Sequence, residues 1–578
     1  MNQAIFTFFR ECLFAIGVMI AFGACGIGLL TSLGNRARFL VFSAPLVGLL
    51  VVPFGANAFY VLLGVSYSHA ALISAACCLG LTAIYLRRFV ADFAPSFSDA
   101  FYGGIALLAI SSAAVLTIDA ATLQTHGPAI FYYDGTDHGG YAHVADWLDA
   151  HSIQHPPIES ADRPYESWPA YIFATDPRLG AFGLLGILAD LRGTSAIFTY
   201  NLACAIVISA GTLAVASLFA RTTLILGLLA VGLFVSHWFD YAYSGYFGKI
   251  IGYPATLFVA GLTLQTMPKT TVETVVALML ITAAMGTMHS GVGSAFLMVP
   301  ILGASIAANM VWRDHRLVLS NAILLCGVVV ASPIIASGLL SRPITNGYPD
   351  YHLTWSYIYP RLIDLENQGV TISGISSSWL IAQVSLALAI WAVLLGIAIF
   401  THSTIAVGLL CGPAVLLLLL TVTNAKPLAF QLIGYFYPVV LCGACVILAD
   451  LPRLSVGVLA LVILTVGQRL PRFVGAVDRY VVHQDQRYLF SAAEIDRLVD
   501  QIGSQAVEID VPDPESGILL LVELGRRNLD LQFSDRTWDM LLRYRGWMQP
   551  IRPEKAALVL HPIYPVAADH FGLDHRSR

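Results

Sequence analysis

The sequence predicts an all-α polytopic membrane protein with about fourteen transmembrane helices, followed by a small α/β domain at its C-terminus. Two features of composition favour this fold: 57% of the 578 residues are hydrophobic, and only 12% are charged. Soluble domains carry about 25% charged residues, so a chain this apolar cannot hide its hydrophobic surface in a water-soluble core. The third feature is that apolar runs long enough to cross a bilayer recur along residues 1–468.

Short polar connections separate these apolar runs. The expected spans lie near residues 11–33, 38–63, 69–86, 101–121, 195–219, 223–238, 250–267, 272–288, 292–311, 317–340, 377–400, 403–422, 428–449 and 454–468. Arginine and lysine fall in alternate connections, as at Arg36, Arg87 and Arg313, and the positive-inside rule places those connections in the cytoplasm. The long polar loops 122–178 and 341–376 then lie on the outer face, together with the C-terminal residues.

Residues 469–578 have ordinary charge and alternating hydrophobicity, which predicts a small soluble extracytoplasmic α/β domain. Residues 506–511 are typical of a strand, and 531–535 and 557–562 indicate further short strands. Residues 515–530 predict a helix, because acidic residues precede it and arginines lie near its end, as the helix dipole favours.

The segment YYDGTDHGGYAHVADWL, residues 132–148, brings dense polar chemistry into the first outer loop. Its DG and GG pairs favour turns. From Tyr141 onward, Val144, Ala145 and Leu148 complete one apolar stripe, which predicts a helix with Asp137 just ahead of it. The apolar segment 179–191 is too short to span a bilayer, so we expect a helix lying in the membrane interface.

This arrangement resembles the GT-C superfamily of membrane glycosyltransferases, in the branch of lipid A aminoarabinose transferases and protein O-mannosyltransferases. The matching residues are the Asp137-His138 pair, the helical pattern that follows it, the PYESWP segment and the short helix 179–191. In that family a catalytic Asp opens the first outer loop as part of a DE-type pair. Here His138 stands in place of the glutamate, and three extra apparent spans precede the loop. The resemblance covers roughly residues 100–340 in topology.

The resemblance implies an inverting glycosyltransferase on the outer face of a bacterial inner membrane. It would move a sugar from a polyprenyl-phosphate-type lipid donor to an envelope glycan, lipid or protein. Such transfer needs a base for the proton of the acceptor, and cations or oriented donors for the leaving phosphate. Asp137 is the first candidate for the base and Asp134 the second. The candidates for binding substrate or phosphate on the same face are His138, Lys249, His289, Arg342 and Arg361.

Each of these residues also has a purely structural interpretation. Asp137 can cap the helix that follows it, and Asp134 can be a turn residue. Lys249 precedes a span, so it can snorkel to the interface as an anchor. Solvation or local packing is the corresponding interpretation for three other candidates, His289, Arg342 and Arg361.

A divalent ion, Mg²⁺ or Mn²⁺, is a further hypothesis, because Asp134, Asp137, His138 and His143 lie close together in sequence. Their spacing matches no established metal motif. Two other classes of function stay open, a transporter or flippase of a lipid-linked or polar solute and a scaffold subunit of envelope assembly. We expect membrane lipids as partners and no nucleic acid, since no basic cluster occurs. The nine cysteines fit small buried hydrophobic residues.

Overall fold

The computed structural model describes most of the membrane-embedded chain and parts of the C-terminal region. The described residues are 2–33, 38–92, 95–131, 137–158, 165–166, 168–170, 179–243, 245, 247–265, 270–287, 292–312, 322, 324–326, 377–423, 433–450, 455–478, 481, 489–511, 514–527, 529–534, 536–537, 558–562 and 571–575. Helix predominates among them, with little sheet.

The helices of the described residues follow one another with short connections. In chain order they are α1 (Asn2–Ser32), α2 (Ala44–Leu63), α3 (Tyr67–Asp92), α4 (Phe97–Ile118), α5 (Ala120–Thr125), α6 (Asp137–Ala150), α7 (Leu179–Arg192), α8 (Ala196–Phe219), α9 (Thr223–Phe234), α10 (His237–Tyr243), α11 (Phe247–Gln265), α12 (Thr271–Thr287), α13 (Val292–Val311), α14 (Ser377–Phe400), α15 (Thr404–Val422), α16 (Ile433–Asp450), α17 (Ser455–Val477), α18 (Ala492–Ile502) and α19 (Pro514–Arg526).

Among the described residues, seven helical stretches are long and apolar enough to cross a membrane. They are Gln3–Ser32, Leu40–Leu63, Tyr67–Ala91, Phe97–Ile118, Ala196–Phe219, Phe247–Gln265 and Thr404–Val422. Shorter apolar helices accompany them, including Thr223–Phe234 and Tyr435–Ala449. The chain therefore has the helices of a polytopic membrane protein, since bilayer-spanning helices need about 20 apolar residues.

Helix α8 is the centre of the packing, and each of its residues is buried. Its sequence is rich in alanine, serine and glycine, and small residues let neighbouring helix backbones approach closely. At Gly211 an added Cβ would lie 2.6 Å from the ring of Pro254 on α11. Contact between α8 and α11 thus depends on the absence of a side chain at this point.

Helix α7 forms where the sequence predicts a short apolar helix. Most of its residues are buried, and it packs against α2, α6 and α8. Its glycines explain this close packing. A Cβ at Gly183 would overlap the ring of Tyr67, and one at Gly186 would lie 3.2 Å from the carbonyl oxygen of Ala145. The glycine face of α7 therefore fits between two other helices.

Three short strands near the C-terminus, β3, β4 and β5 below, lie at the positions that the sequence pattern predicts. The strands of the described residues are β1 (Ala129–Phe131), β2 (Leu489–Ser491), β3 (Val507–Ile509), β4 (Leu531–Phe533), β5 (Leu558–Pro562) and β6 (Phe571–His575). Four of them form a sheet in the order β4-β3-β5-β6, in which β3 is parallel to both β4 and β5, and β6 is antiparallel to β5.

The pairing of β1 with β2 is a contact that the sequence pattern did not predict. These strands run antiparallel, with Ile130 opposite Phe490. Strand β1 belongs to the first polar loop, while β2 begins the group of C-terminal elements. The last part of the chain is therefore joined by backbone hydrogen bonds to the loop that contains the candidate aspartates.

Candidate functional site

Helix α6 begins at Asp137, four residues earlier than the apolar stripe predicts. The GG pair, which suggests a turn in sequence, lies within the first turn of the helix. The indole Nε1 of Trp168 donates a hydrogen bond to the Gly140 carbonyl oxygen at 3.2 Å. A Cβ at Gly140 would lie 3.0 Å from the same indole. Tertiary packing of Trp168 thus favours a helical backbone that glycine alone would not.

The first turn of α6 meets the first turn of α11 across one tyrosine. His138 is 1% exposed, and its ring centroid lies 4.8 Å from that of Tyr200 on α8. Tyr200 in turn lies 5.7 Å from Phe247, the first residue of α11. Tyr141 also contacts Phe247, with 6.2 Å between ring centroids. The N-terminal ends of two helices therefore converge on Tyr200.

Lys249 is the third residue of α11 and is only 3% exposed. Its Nζ lies 5.2 Å from the ring centroid of Tyr241, a cation–π contact. Tyr241 packs at 5.3 Å against Tyr253, which lies 4.2 Å from Tyr435 on α16. The ammonium group therefore lies inside the protein against the ring of Tyr241, and it does not extend along an exposed surface as a snorkelling anchor would.

The two candidate histidines of α6 point in different directions. They are five residues apart, which separates them by about 140° around the helix axis. His143 is 1% exposed, and its ring lies 4.5 Å from that of Tyr165. Its Nε2 has no hydrogen-bond partner among the described residues. Burial lowers the pKa of His143 to about 3, so the ring is neutral at physiological pH.

Asp146 lies one turn after His143 and is buried with it, a feature that sequence reasoning missed. Its Oδ1 accepts a hydrogen bond from the Ala196 amide at 3.0 Å. Burial, together with the charge of Glu523, raises the pKa of Asp146 to about 8, although Arg526 opposes this shift. The carboxylate therefore favours its protonated form at neutral pH. The i, i+3 spacing of the two polar residues was the available signal.

Glu523 belongs to α19, which packs against α6. Its side chain is fully buried, and Oε2 lies 3.3 Å from Nη1 of Arg527 and 3.9 Å from Nη2 of Arg526. Burial raises the pKa of Glu523, while Arg526, the nearby Ser195 hydroxyl and Arg527 lower it. The polar face of α6 is thus covered by a helix from the far end of the chain.

The remaining sequence candidates lie outside the described residues. They are Asp134, His289, Arg342 and Arg361. For Asp137 the description is limited to its position as the first residue of α6. Among the described residues, no group of three His, Cys, Asp or Glu side chains is close enough to hold a metal ion. The hypothesis of a site formed by Asp134, Asp137, His138 and His143 stays a prediction.

Comparisons of the chain with protein-family models, with curated proteins and with solved structures find no match. Chemistry at the meeting point of α6, α8 and α11 must therefore be inferred from the residues themselves. The meeting point contains the start of a helix at an aspartate, a buried lysine and a group of aromatic rings. Helix N-termini and a cation together favour an anion.

Proposed function

We propose that this chain is an inverting GT-C-type glycosyltransferase that uses a polyprenyl-phosphate-type sugar donor and an envelope glycan, lipid or protein as acceptor. One observation carries the proposal. The helix that starts at Asp137 and the helix that carries the buried Lys249 meet with their N-terminal ends at Tyr200. A carboxylate and a cation site for phosphate are the two requirements of this transfer.

In the proposed reaction, the acceptor hydroxyl oxygen attacks the anomeric carbon of the donor sugar. The bond between that carbon and the phosphate oxygen breaks, and its electron pair leaves with the phosphate. The Asp137 carboxylate takes the hydroxyl proton, with Asp134 as a supporting acid or an alternative base. A single in-line displacement of this kind inverts the configuration of the anomeric carbon.

Lys249 is assigned to the departing phosphate. The ammonium group is buried against the ring of Tyr241, and a charge interaction inside the protein is stronger than in water. The N-termini of α6 and α11 add partial positive charge. His138, Arg342 and Arg361 are proposed to complete the phosphate and sugar contacts, with His289 as a further donor. Their roles follow from the sequence argument, and only His138 belongs to the described side chains.

The proposed topology has about fourteen spans in a bacterial inner membrane, with residues 469–578 as a small α/β domain outside. The first polar loop and the loop 341–376 would lie on that same outer side. Arginine and lysine in the alternate connections support this orientation. Labelling of single cysteines introduced at exposed Asp500 and at Arg87 tests it, because a membrane-impermeant reagent should modify only the former in intact cells.

The activity is tested with purified protein in lipid nanodiscs and a radiolabelled polyprenyl-phosphate sugar. Asp137→Asn and Asp134→Asn are compared separately with Asp500→Asn, a control at an exposed carboxylate on α18. We expect Asp137→Asn to lower the transfer rate at least about a hundredfold, since a positioned base contributes about 10²–10⁴. Full activity in Asp137→Asn would reject the mechanism. Parallel assays with EDTA test the Mg²⁺ or Mn²⁺ hypothesis.

Binding of the leaving group is measured with polyprenyl phosphate alone. We expect Lys249→Gln to weaken binding at least about tenfold, while Asp137→Asn leaves binding near that of the unmodified protein. Tight binding by the unmodified protein without transfer of any of a panel of sugars would instead support a flippase or transporter. Absence of both binding and transfer would favour a scaffold subunit.

A further inference from the structure

Two separate contacts join the C-terminal segment, defined here as residues 489–575, to the surroundings of α6. Strand β2 pairs with β1, which lies just before the loop that leads into α6. Helix α19 packs directly on α6. The C-terminal segment thus contacts the chain both before and within α6. In α19, Gly525 packs so closely against Tyr165 of the first polar loop that an added Cβ would lie 2.5 Å from its ring.

The interface between α6 and α19 contains an arrangement of charge that simple packing would not favour. Two carboxyl groups, Asp146 and Glu523, are buried there, with 8% and 0% of each residue exposed. Glu523 has two arginine partners, whereas Asp146 has a backbone amide at Oδ1 and no partner at Oδ2 among the described residues. Apolar side chains would usually stabilise such a contact better than buried ionisable groups.

We propose that the C-terminal segment docks on α6 through Asp146 and Glu523, and that docking requires Asp146 to hold its proton. With the proton bound, a neutral acid faces the Glu523 carboxylate, whose charge is balanced by Arg526 and Arg527. Without the proton, a second buried negative charge faces the first. Because the two protonation states of Asp146 differ in this way, the interface connects the C-terminal segment to α6 in a pH-sensitive manner.

Other charged and titratable groups face this pair from each packed element. They are Asp149 on α6, Tyr165 in the loop, Arg526 and Arg527 on α19, and Asp496 on α18. Asp149 lies beside Ser68, which also contacts Asp190. Burial and Asp190 raise the pKa of Asp149 to about 7, while Arg526 opposes this shift as it does for Asp146.

The pH range follows from Asp146, which lies with Glu523 in the interface between α6 and α19. Burial and the charge of Glu523 raise the pKa of Asp146 to about 8, so its contribution to docking is lost as the pH rises from the usual value, about 4, to about 8. The pKa of Asp149 is raised to about 7, so the loss that it adds is complete at a lower pH. Docking therefore weakens as the pH rises toward about 8.

Amide hydrogen exchange tests the proposal without any enzymatic assay. Exchange of peptides that cover β2 and α19 is measured from pH 6 to 9 and corrected for intrinsic rates. We expect protection in the unmodified protein to fall about tenfold or more between pH 6.5 and 8.5, because one proton is linked to docking. Asp146→Asn, which stays neutral, should keep its protection across this range. Asp500→Asn, at an exposed carboxylate of α18, should behave like the unmodified protein.

Protection of α8 and α11 in the same samples reports whether each variant is folded. The proposal is overturned if protection of β2 and α19 in the unmodified protein does not change with pH. It is also overturned if Asp146→Asn shows the same fall in protection as the unmodified protein. If Asp146→Asn does not fold, Glu523→Gln gives the decision, because it removes the opposing charge and should make the fall shallower. A fall as steep as before in Glu523→Gln contradicts the proposal. Neither result depends on glycosyl transfer.

Discussion

Arg192 and Glu11 are separated by 181 residues in sequence, yet Nη2 of Arg192 lies 3.1 Å from Oε2 of Glu11. The same Nη2 lies 3.7 Å from Oδ2 of Asp119, and Nη1 donates to the Phe198 carbonyl oxygen at 2.6 Å. The three charged side chains are at most 6% exposed. This buried network joins α1, the residue after α4, and the junction between α7 and α8.

Removal of the Arg192 charge should destabilise the protein strongly. Arg192→Gln removes the cation that two buried carboxyl groups share, and breaking a buried pair costs about 3–5 kcal/mol in comparable sites. Glu11 keeps Arg10 at 2.6 Å, so the loss should lie toward the lower end of that range. The thermal unfolding midpoint in detergent measures the change. Arg38→Gln is the control, because Arg38 is 46% exposed and pairs with Asp99 near the surface, where ion pairs contribute about 0–1 kcal/mol. Equal losses in the two variants would argue against the network.

Asp119 should make stability depend on pH. Burial raises its pKa to about 7 in spite of Arg192, while Thr122 donates to Oδ1 at 2.8 Å. Because the folded pKa is above the usual value, this group favours the folded state less as the pH rises from about 4 to about 7. Asp119→Asn should remove that dependence. The unfolding free energy of the variant minus that of the unmodified protein should therefore increase by up to about 1.4 kcal/mol per pH unit in this range.

Gly183 should not tolerate a side chain. An added Cβ would overlap the Tyr67 ring, whose hydroxyl lies 3.0 Å from the Pro53 carbonyl oxygen and 2.8 Å from Asn57 Oδ1 and can donate its one proton to either acceptor. Because these contacts hold the ring in place, Gly183→Ala should lower the free energy of unfolding by about 1–3 kcal/mol. Gly80→Ala on α3 is the matched control, since no atom lies within 4 Å of its added Cβ. Equal midpoints for the two variants would contradict the packing of α7.

The membrane-embedded part of the fold follows from the sequence because each span must be long and apolar by itself. The predicted run at 195–219 corresponds closely to α8, whereas α1 begins nine residues before the predicted run at 11–33. Strands β3, β4 and β5 also lie where the sequence predicts strands. The position of α7 could not be predicted in this way, because its burial depends on a contact between Gly183 and Tyr67, two residues far apart in sequence.

In the candidate site, too, the local sequence predicts the helix but not the long-range contacts that bury it. The apolar stripe of α6 predicts the helix, and Tyr141, Val144, Ala145 and Leu148 are indeed buried. The stripe does not predict that the polar face is buried as well. That burial depends on α19 at the other end of the chain, so the i, i+3 spacing of His143 and Asp146 marks a polar face but does not predict that this face is buried.

Two tryptophans, Trp147 within α6 and Trp168 packed against its first turn, provide the sharpest test of how that turn is held. Trp168 donates to the Gly140 carbonyl oxygen at 3.2 Å, whereas the buried Nε1 of Trp147 has no partner among the described residues. Trp168→Phe should therefore cost about 0.5–1.5 kcal/mol and speed amide exchange in residues 137–145. Trp147→Phe removes an unsatisfied donor, so it should be neutral or stabilising in the same measurements. If Trp147→Phe loosened the first turn as much as Trp168→Phe, general loss of aromatic packing and not the hydrogen bond to Gly140 would be what holds the start of α6.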